Sequence, residues 1–350
     1  MFNLFGSKGN LGIDIGTATI KIMELERHGG RFSLSNYGLF SIKSAGPKGE
    51  SEPSILKLPD EEIASAIKEV IKRSKIKSRN MVASIPSFST FATVIEMPYL
   101  SESELAQAIP FEARKYVPIP LAEVVLDWSI IGASGTQTAK PMVEVFIAAV
   151  PKEETMRYQN IAKMAGLALR ALELENSALI RALLGNDLTP TAVVNIGGRS
   201  TSILIVNKGY ERLSHNYEVG GFEITRSIAR SLNVSLEKAE DLKKRLGMKE
   251  VDENIINKAM MSLIDMMAFE TNKTISSYET ASNQKVVRVL LVGGMVNMPN
   301  FLNYFKQRLG RDVFIGNALA RVVYPKGLEK NIGELASTFA VAAGLAEREV

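Results

Sequence analysis

Apolar and polar positions alternate with a period of two through "LGIDIGTATIKIMELERHGGRFSLSNYGLFSIK" (Leu11 to Lys43), which predicts antiparallel strands with Gly29-Gly30 as a hairpin turn. A polar stretch carrying Pro and Gly follows from Ser44 to Pro59. The period then changes. In "DEEIASAIKEVIKRSKI", Ile63, Ile67, Val70 and Ile71 share one face behind an acidic first turn, the signature of an amphipathic helix. "MVASIP" predicts a short buried strand, and Phe91 to Met97 another. Ser101 with Glu104 forms a capping box for the next helix, which Pro110 is expected to kink or break, having no N–H to bond back to residue 106. "VEVFIAAVP" predicts a strand, "KEETMRYQNIAKMAGL" a helix ended by Gly166, and "LRALELENSALIRALLGN" a strand running into a helix.

The pattern restarts at Thr189-Pro190. Strands are predicted at Ala192–Ile196, Ser202–Asn207 and Tyr210–Val219, and a helix from near Phe222. "SLEKAEDLKKRLG" reads as a helix of mixed charge ended by Gly247. "DENIINKAMMSLIDMMAFETNKTISSYETAS" reads as a long amphipathic one, its methionines serving as core filler. "VVRVLLV" is a strand, "GGMVNMPNFLNYFKQRLG" a glycine turn into a helix, and "ELASTFAVAAGLAERE" a small-residue helix suited to close packing. Both halves thus follow one plan of two hairpin strands, a third strand, helix, strand and helix, with an insertion in each. That is an internal duplication. Its clearest trace is "VVNIGGRSTSILIV", which repeats "LGIDIGTATIKIM" 181 residues later (195 minus 14), with Asn195 standing where the first copy has Asp14.

Composition narrows the chemistry. At 350 residues two or more domains are expected. With 42 basic and 38 acidic residues the net charge is only +4, and the basic cluster "IKRSKIKSR" reads as a solvated helix end, so no nucleic-acid partner is expected. Cysteine is absent, which removes disulfides, thiolate zinc sites and cysteine nucleophiles. The two histidines, His28 and His215, read as exposed loop residues and not as ligands or relays. No apolar run reaches the ~18 residues of a membrane span and no signal peptide precedes the first strand, so the chain reads as cytoplasmic. The leading "MFNLFGSKGN" reads as a frayed leader, the alternative being contact with a membrane or partner.

Small-residue turns between strands present backbone N–H groups and hydroxyls to one concavity, which suits oxyanions. In "DIGTATIK" these are the amides from Gly16 through Ala18 to Thr19, the hydroxyls of Thr17 and Thr19, and the charge of Lys21. Asp14 suits a hydrated Mg²⁺ held through water. In "NIGGRST" they are Gly197, Gly198, Ser200 and Thr201, with Arg199 as a further cation. A triphosphate pinched between two hairpins, with its base over the glycine turn after "RVLLV", is the geometry these turns suggest. Neither a Walker loop nor a GxGxxG fingerprint is present.

In order, "DIGTATIK", "LELENSALIRAL", "NIGGRSTSILIV", "LLVGGMVNMPNFLNYFKQRLG" and "ASTFAVAAGLA" resemble the phosphate, connecting and adenosine motifs of the actin-like ATPase superfamily. "GGRFSLSNYGLFSI" and "ASIPSFSTFATVIEMPYLSESELAQAIPFEARKYVPIPLAEVVLDWSIIG" are similar to the PilM family of type IV pilus assembly proteins, related to FtsA. The resemblance implies an α/β, actin-like (ribonuclease H-like, duplicated) fold, two lobes around a nucleotide cleft. It assigns 1–87 and 167–188 to the first lobe and 88–166 to a small inserted α+β subdomain. The second lobe takes 189–223 and 286–350, with 224–285 as its helical subdomain. It also implies ATP and Mg²⁺ as cofactors, with at most slow hydrolysis.

The implied partners are the N-terminal peptide of a PilN-like membrane protein, docked on the first lobe near its junction with 88–166, and other pilus assembly proteins; self-association is also admitted. The protein is then expected in the cytoplasm, peripheral at the inner membrane through its partners. By motif, Gly220 and Gly221 lie beside the nucleotide, Glu240 and Lys243 approach ribose and base, and Gly293, Gly294 and Met295 face the adenosine. Asp14, Glu175 and Asn195 form the catalytic set, Glu175 orienting water. Asn195 departs from the family's usual Asp and contributes no charge, so weaker metal binding or water activation is expected, and Asn195→Asp is expected to raise it. Pro110 is a second departure. The alternatives are an FtsA-like polymerising protein, from which the close at "GLAEREV" is expected to separate it, and a small-molecule kinase, which needs a further carboxylate base.

Overall fold

The computed structural model describes residues 9–42, 54–134, 141–249 and 255–349. The leading residues 1–8 and most of the polar stretch after Ser44 lie outside them. The chain opens with β1 (Asn10–Ile15), β2 (Thr19–His28) and β3 (Arg31–Ser41), then α1 (Asp60–Arg73) and β4 (Asn80–Ile85). An excursion of β5 (Phe91–Pro98), α2 (Glu102–Ala113), β6 (Val124–Ser134) and β7 (Met142–Pro151) leads to α3 (Lys152–Ala165), β8 (Ala168–Leu174) and α4 (Glu175–Leu183). The second half runs β9 (Thr191–Ile196), β10 (Thr201–Asn207), β11 (Tyr210–Tyr217), α5 (Gly221–Leu232), α6 (Leu236–Leu246) and α7 (Ile255–Ser282). It ends with β12 (Arg288–Val292), α8 (Phe301–Leu309), β13 (Val313–Ile315), β14 (Val322–Val323), α9 (Ile332–Thr338) and α10 (Ala340–Ala346).

The duplication is explicit in the sheets. One is ordered β14-β3-β2-β1-β4-β8 and the other β11-β10-β9-β12-β13. Removing the two-residue β14 leaves the same five-strand order twice. In each copy the first two pairings are antiparallel and the last two parallel. Gly29 and Gly30 take φ of 56° and 84° to turn β2 into β3, a left-handed pair that an L side chain resists.

α1 and α3 cover one face of the first sheet, where Ile63, Ile67, Tyr158 and Ile161 pack on Leu11, Ile13, Met81 and Ile85. On the far face of the second sheet, α5, α7 and α8 close a core containing Ile228, Met260, Met267, Phe301 and Phe305. The buried methionines there fill space between helix and sheet, as read from the pattern. The inner faces of both sheets share α4 and α10: Val82 of the first sheet and Val193 and Leu204 of the second belong to one cluster with Leu179, Ala342 and Leu345. The approach is close enough to require glycine. A Cβ on Gly12 would lie 1.9 Å from the carbonyl oxygen of Ala342, and one on Gly344 2.0 Å from that of Ala178.

Several expectations change here. α3, expected inside the subdomain 88–166, instead packs into the core of the first sheet through Tyr158, Ile161, Ala162 and Ala165, because its apolar face matches that sheet. The separate excursion is the three-stranded sheet β5-β7-β6 with α2. The last segment, expected wholly in the second lobe, adds β14 to the first sheet and lays α10 between the lobes. Helix α2 runs through Pro110. Leu105, Ile109 and Ala113 are fully buried on its sheet, while Ala106, whose carbonyl loses its partner, is exposed to water. The capping box at Ser101 is present in full. β11 stops at Tyr217, short of Val219, and His215 lies within it, beside Glu270 at 3.5 Å, not in a loop.

Candidate nucleotide site between two hairpins

The parallel strands β1, β4 and β8 run toward the cleft and end there, as do β9 and β12. Ligands in open α/β sheets sit beyond the carboxyl ends of such strands. The cleft between the sheets has a volume of about 650 Å³, within the range of small-molecule sites. Both hairpins project into it with the same register at an offset of 181 residues. Asp14 pairs across with Lys21 in the first, and Asn195 with Ser202 in the second. Each tip is closed by one backbone bond, Gly16 N–H to the Thr19 carbonyl at 3.0 Å and Gly197 N–H to the Ser200 carbonyl at 2.9 Å.

The tips meet. A Cβ on Gly198 would stand 2.5 Å from the Cβ of Ala18 and 3.4 Å from Oγ1 of Thr17, so only glycine permits this approach. The first tip is held from outside by Ile55, whose N–H donates to the Thr17 carbonyl at 2.8 Å. The second is held by the start of α5: Gly221 and Phe222 N–H donate to the carbonyls of Gly197 and Gly198 at 3.0 and 2.8 Å. The Arg199 guanidinium stacks on the Phe222 ring, 4.3 Å from its centroid.

Charge divides the two jaws. Lys21 Nζ lies 2.9 Å from Oδ2 of Asp14, and both side chains are largely buried. Asn195 makes no ion pair; its Nδ2 donates at 2.6 Å to Oε1 of Glu175, the first residue of α4. Burial first, and the Asp14 carboxylate second, push the Glu175 carboxyl up to about 7. Glu175 Oε2 accepts from the Ser87 N–H at 3.4 Å. The Ser87 hydroxyl donates to Asn176 at 3.0 Å, and Asn176 donates in turn to Glu211 of β11 at 3.1 Å. Next to Glu211, Arg212 reaches Glu144 of β7 at 2.8 Å. A polar chain therefore links the cleft floor to the root and flank of the inserted sheet.

On the opposite wall Lys243 is 93% buried, donating to the Gly221 carbonyl at 2.9 Å and Thr225 Oγ1 at 2.8 Å and pairing with Glu240 at 2.6 Å. Burial works against the Glu240 charge, yet the Lys243 ammonium and its hydrogen bonds hold that carboxyl below its usual value. Gly293, at φ 100°, passes so close to β9 that a Cβ would lie 2.1 Å from the Ile196 carbonyl oxygen. Asn297 Nδ2 ties this turn to Ser337 at 3.0 Å.

The structure brings most of the expected residues together. Asp14, Gly16, Thr17, Ala18, Thr19, Lys21, Glu175, Asn195, Gly197, Gly198, Arg199, Ser200, Gly221, Glu240, Lys243, Gly293, Gly294 and Met295 all line the cleft. Two do not. Thr201 is fully buried with its hydroxyl donated to the Val219 carbonyl at 2.7 Å, because strand alternation turns Ser202 inward in its place. Gly220 packs behind the second tip, where a Cβ would lie 2.7 Å from the Gly197 and Gly198 carbonyls. Ser87, Ser202, Thr225, Asn297 and Ser337 line the cleft without having been expected. Counting strand alternation from Asp14–Lys21 onto the second copy would have found Ser202.

The donor set fits a polyphosphate. Ser202 Oγ is buried beside the cleft with no partner among the described residues, and the tip residues Gly16, Thr17, Thr19, Gly197, Gly198 and Ser200 line the same cleft. No group of three or more His, Cys, Asp or Glu that could hold a metal occurs among the described residues. No helix among them is long and apolar enough to cross a membrane.

The family described as type IV pilus assembly protein PilM matches residues 12–350. The chain is 20% identical to the cell division protein FtsA of Enterococcus faecalis, over 92% of this chain and 80% of that one. Among solved structures, a PilM-PilN type IV pilus biogenesis complex superposes with a TM-score of 0.80 at 22% identity, covering 97% of this chain and 98% of that one. MreB5 of Spiroplasma citri bound to AMPPNP gives 0.51 at 14% identity, covering 97% and 95%. These likenesses share the actin-like ATPase fold.

Proposed function

The chain belongs to the PilM family of type IV pilus assembly proteins, and from that premise we propose that it is an ATP-binding scaffold whose nucleotide state sets its shape. The observation that carries the reading is the pair of matched hairpins meeting tip to tip over a cleft of about 650 Å³. Bound ATP supplies a triphosphate anion long enough to touch both jaws. Lys21 and the Gly16–Thr19 turn take one side of it, and Gly197, Gly198 and Ser200 the other. Asp14 turns its carboxylate to the hydration shell of the accompanying Mg²⁺. Gly293, Gly294 and Met295 face the adenosine.

Glu175 is already committed in this setting. Its carboxylate oxygens accept from Asn195 and Ser87, which competes with orienting a water, so turnover is slow and binding is the main event. The same commitments disfavour a small-molecule kinase, which needs an unengaged carboxylate facing a substrate hydroxyl. The chain Glu175–Ser87–Asn176–Glu211 and the Arg212–Glu144 pair carry cleft closure to the inserted sheet. Beside that sheet, on the first lobe, the N-terminal cytoplasmic peptide of a PilN-like membrane protein docks. The solved complex that superposes on this chain pairs a PilM with a PilN, which supports that choice of partner.

Calorimetry tests this directly. Mg-ATP is expected to bind, and a synthetic peptide from the organism's own PilN-like protein is expected to change affinity about fivefold or more between nucleotide-free and ATP-loaded protein. Absence of ATP binding, or equal peptide affinity in both states, overturns the reading.

A further inference from the structure

By sequence the inserted sheet belongs to the first lobe, which the chain leaves at Pro86 and rejoins at Pro151, the residue that caps α3. Its core is its own: Ile95, Met97, Leu105, Ile109, Val145 and Ile147 cluster apart from the core of the first sheet. A charged tie nevertheless runs from it to the second lobe. Arg212 of β11 reaches Glu144 of β7 at 2.8 Å, and both side chains are mostly buried. The neighbouring Leu213 packs on the core of the second lobe.

Two irregularities converge on this pair. β10 and β11 pair Val206 with Glu211 and Ile205 with Leu213, so Arg212 is the extra residue of a bulge. β6 and β7 pair Ile130 with Val145 and Gly132 with Glu144, so Ile131 is the extra residue of a second bulge. Consecutive residues of a regular strand point to opposite faces, and a bulge re-aims one of them. Here both Glu211 and Arg212 engage residues outside their own lobe. Glu211 accepts from Asn176 of α4 at 3.1 Å, and Arg212 donates to Glu144. On the facing strand Gly132 clears the space, since a Cβ there would stand 2.7 Å from Oε2 of Glu144, the oxygen that Arg212 holds.

We propose that the Arg212–Glu144 pair makes the inserted sheet travel with the second lobe when the cleft closes, pivoting on the first lobe at Pro86 and Pro151. This rests on the reading above, that nucleotide sets the shape of the cleft and a peptide docks beside the insert. The layer of α4 and α10, packed on the inner faces of both sheets, is the axle of that motion, and Asn176 with Glu211 lies on it. Arg212, one residue further, carries the movement outward. Pro86 and Phe88, at the entering pivot, line the cleft itself. Closure then changes the angle between insert and first lobe, which is where the peptide docks. The insert is spliced into one lobe and bolted to the other.

The chain has no cysteine, so spin labels can be placed at Ser65→Cys on α1, Gln107→Cys on α2 and Gln307→Cys on α8, all exposed. Pulsed dipolar spectroscopy of the full chain, labelled in pairs, reads each distance with and without Mg-ATP. Nucleotide is expected to shift the distances from Ser65 to Gln307 and from Ser65 to Gln107 by several ångströms, and to leave Gln107 to Gln307 unchanged. Glu144→Gln with Arg212→Gln removes both charges and strands neither. In that variant Gln107 is expected to stay with Ser65 and to shift against Gln307. The nucleotide effect on peptide affinity is expected to fall from about fivefold to about twofold or less. Exchanging the charges, Glu144→Arg with Arg212→Glu, should restore both readouts, which a merely weakened fold would not do. Movement of Gln307 alone against Ser65 and Gln107 in wild type, or distances indifferent to the neutral variant, overturns the proposal and leaves the nucleotide reading standing. A distance from Ser65 to Gln307 that ignores Mg-ATP overturns both.

Discussion

The first hairpin closes over a buried ion pair, Asp14 with Lys21, and its copy closes over two neutral residues, Asn195 and Ser202, at the same register positions. Backbone geometry is shared down to the single tip hydrogen bond, so duplication preserved the scaffold and let the charges diverge. The lost acid has a physical counterpart. Glu175 reaches across to Asn195 at 2.6 Å, and an amide donor is what a carboxylate there requires. An aspartate in the second hairpin would face another acid. The neutral jaw is therefore matched to Glu175, and the charged jaw holds its own counter-ion.

Removing the counter-ion from the charged jaw has the largest expected effect. Lys21→Ala leaves the Asp14 carboxylate buried without its partner, a change that costs about 4 kcal/mol where such pairs are broken. It also deletes the cation nearest the proposed phosphates. Thermal melts should show the lost stability, and calorimetry an ATP affinity weaker by about 100-fold. An ATP affinity equal to wild type places the phosphates elsewhere and ends the contrast between jaws. Lys21→Arg, which keeps the charge, should recover most of both losses.

Asn195→Asp sharpens the comparison by recharging the neutral jaw. From sequence, the restored acid was expected to improve metal-dependent binding. Geometry reverses the sign in metal-free protein, because the new carboxylate sits at hydrogen-bond distance from Glu175. Two such acids share one proton and cannot both ionise readily, so their joint titration moves upward. Below that titration the shared proton holds the pair together. Above it, stability falls, by about 3 kcal/mol at pH 8 relative to pH 6. Melts at the two pH values check this, and Mg²⁺ should restore part of the loss. A variant equally stable at both pH values means that Asn195 and Glu175 are not in contact.

Much of this was legible in the chain because it rested on local patterns. The hairpin glycines, the capping box of Ser101 and Glu104 and the apolar face of α1 each follow from spacing alone. Almost every cleft-lining residue expected from the two turns is found there. What escaped depends on tertiary choices. The apolar face of α3 fits either neighbouring sheet, and only packing assigns Tyr158 and Ile161 to the first. Thr201 and Ser202 both carry hydroxyls, and only the register decides which points inward. The tolerance of Pro110 follows from burial of Leu105 and Ile109 against the β5-β7-β6 sheet, a packing that the helix pattern alone does not show. Lys243 reads as one more charge on an exposed helix until Gly221 and Thr225 are seen to receive it.

Glu175→Gln tests the neutral jaw from the other side and is the mildest of the three. Glu175 is raised from 4.5 to about 7 in the folded chain, so the native state binds a proton that the unfolded chain has already released between those values. Its contribution to stability is complete below pH 4.5 and disappears as pH rises through 7. Wild-type protein should therefore lose on the order of 3 kcal/mol across this window. Glu347, near the end of α10, is also pushed up to about 7 by burial, so it adds a slope of the same sign. The amide of the Glu175→Gln variant cannot ionise, and it keeps one acceptor for Asn195 while giving up the weaker bond from Ser87. The variant should start about 1 kcal/mol less stable at low pH and overtake wild type as the solution becomes alkaline. Glu347→Gln flattens the slope too, but without touching ATP binding, since that side chain lies outside the cleft. Crossing melting curves for Glu175→Gln would trace the slope to this carboxyl, and in an Asn195→Ala background, which removes a hydrogen bond that favours the ionised form, the slope should steepen. Parallel curves for Glu175→Gln and wild type would mean that Glu175 is ionised throughout and that burial does not hold its proton.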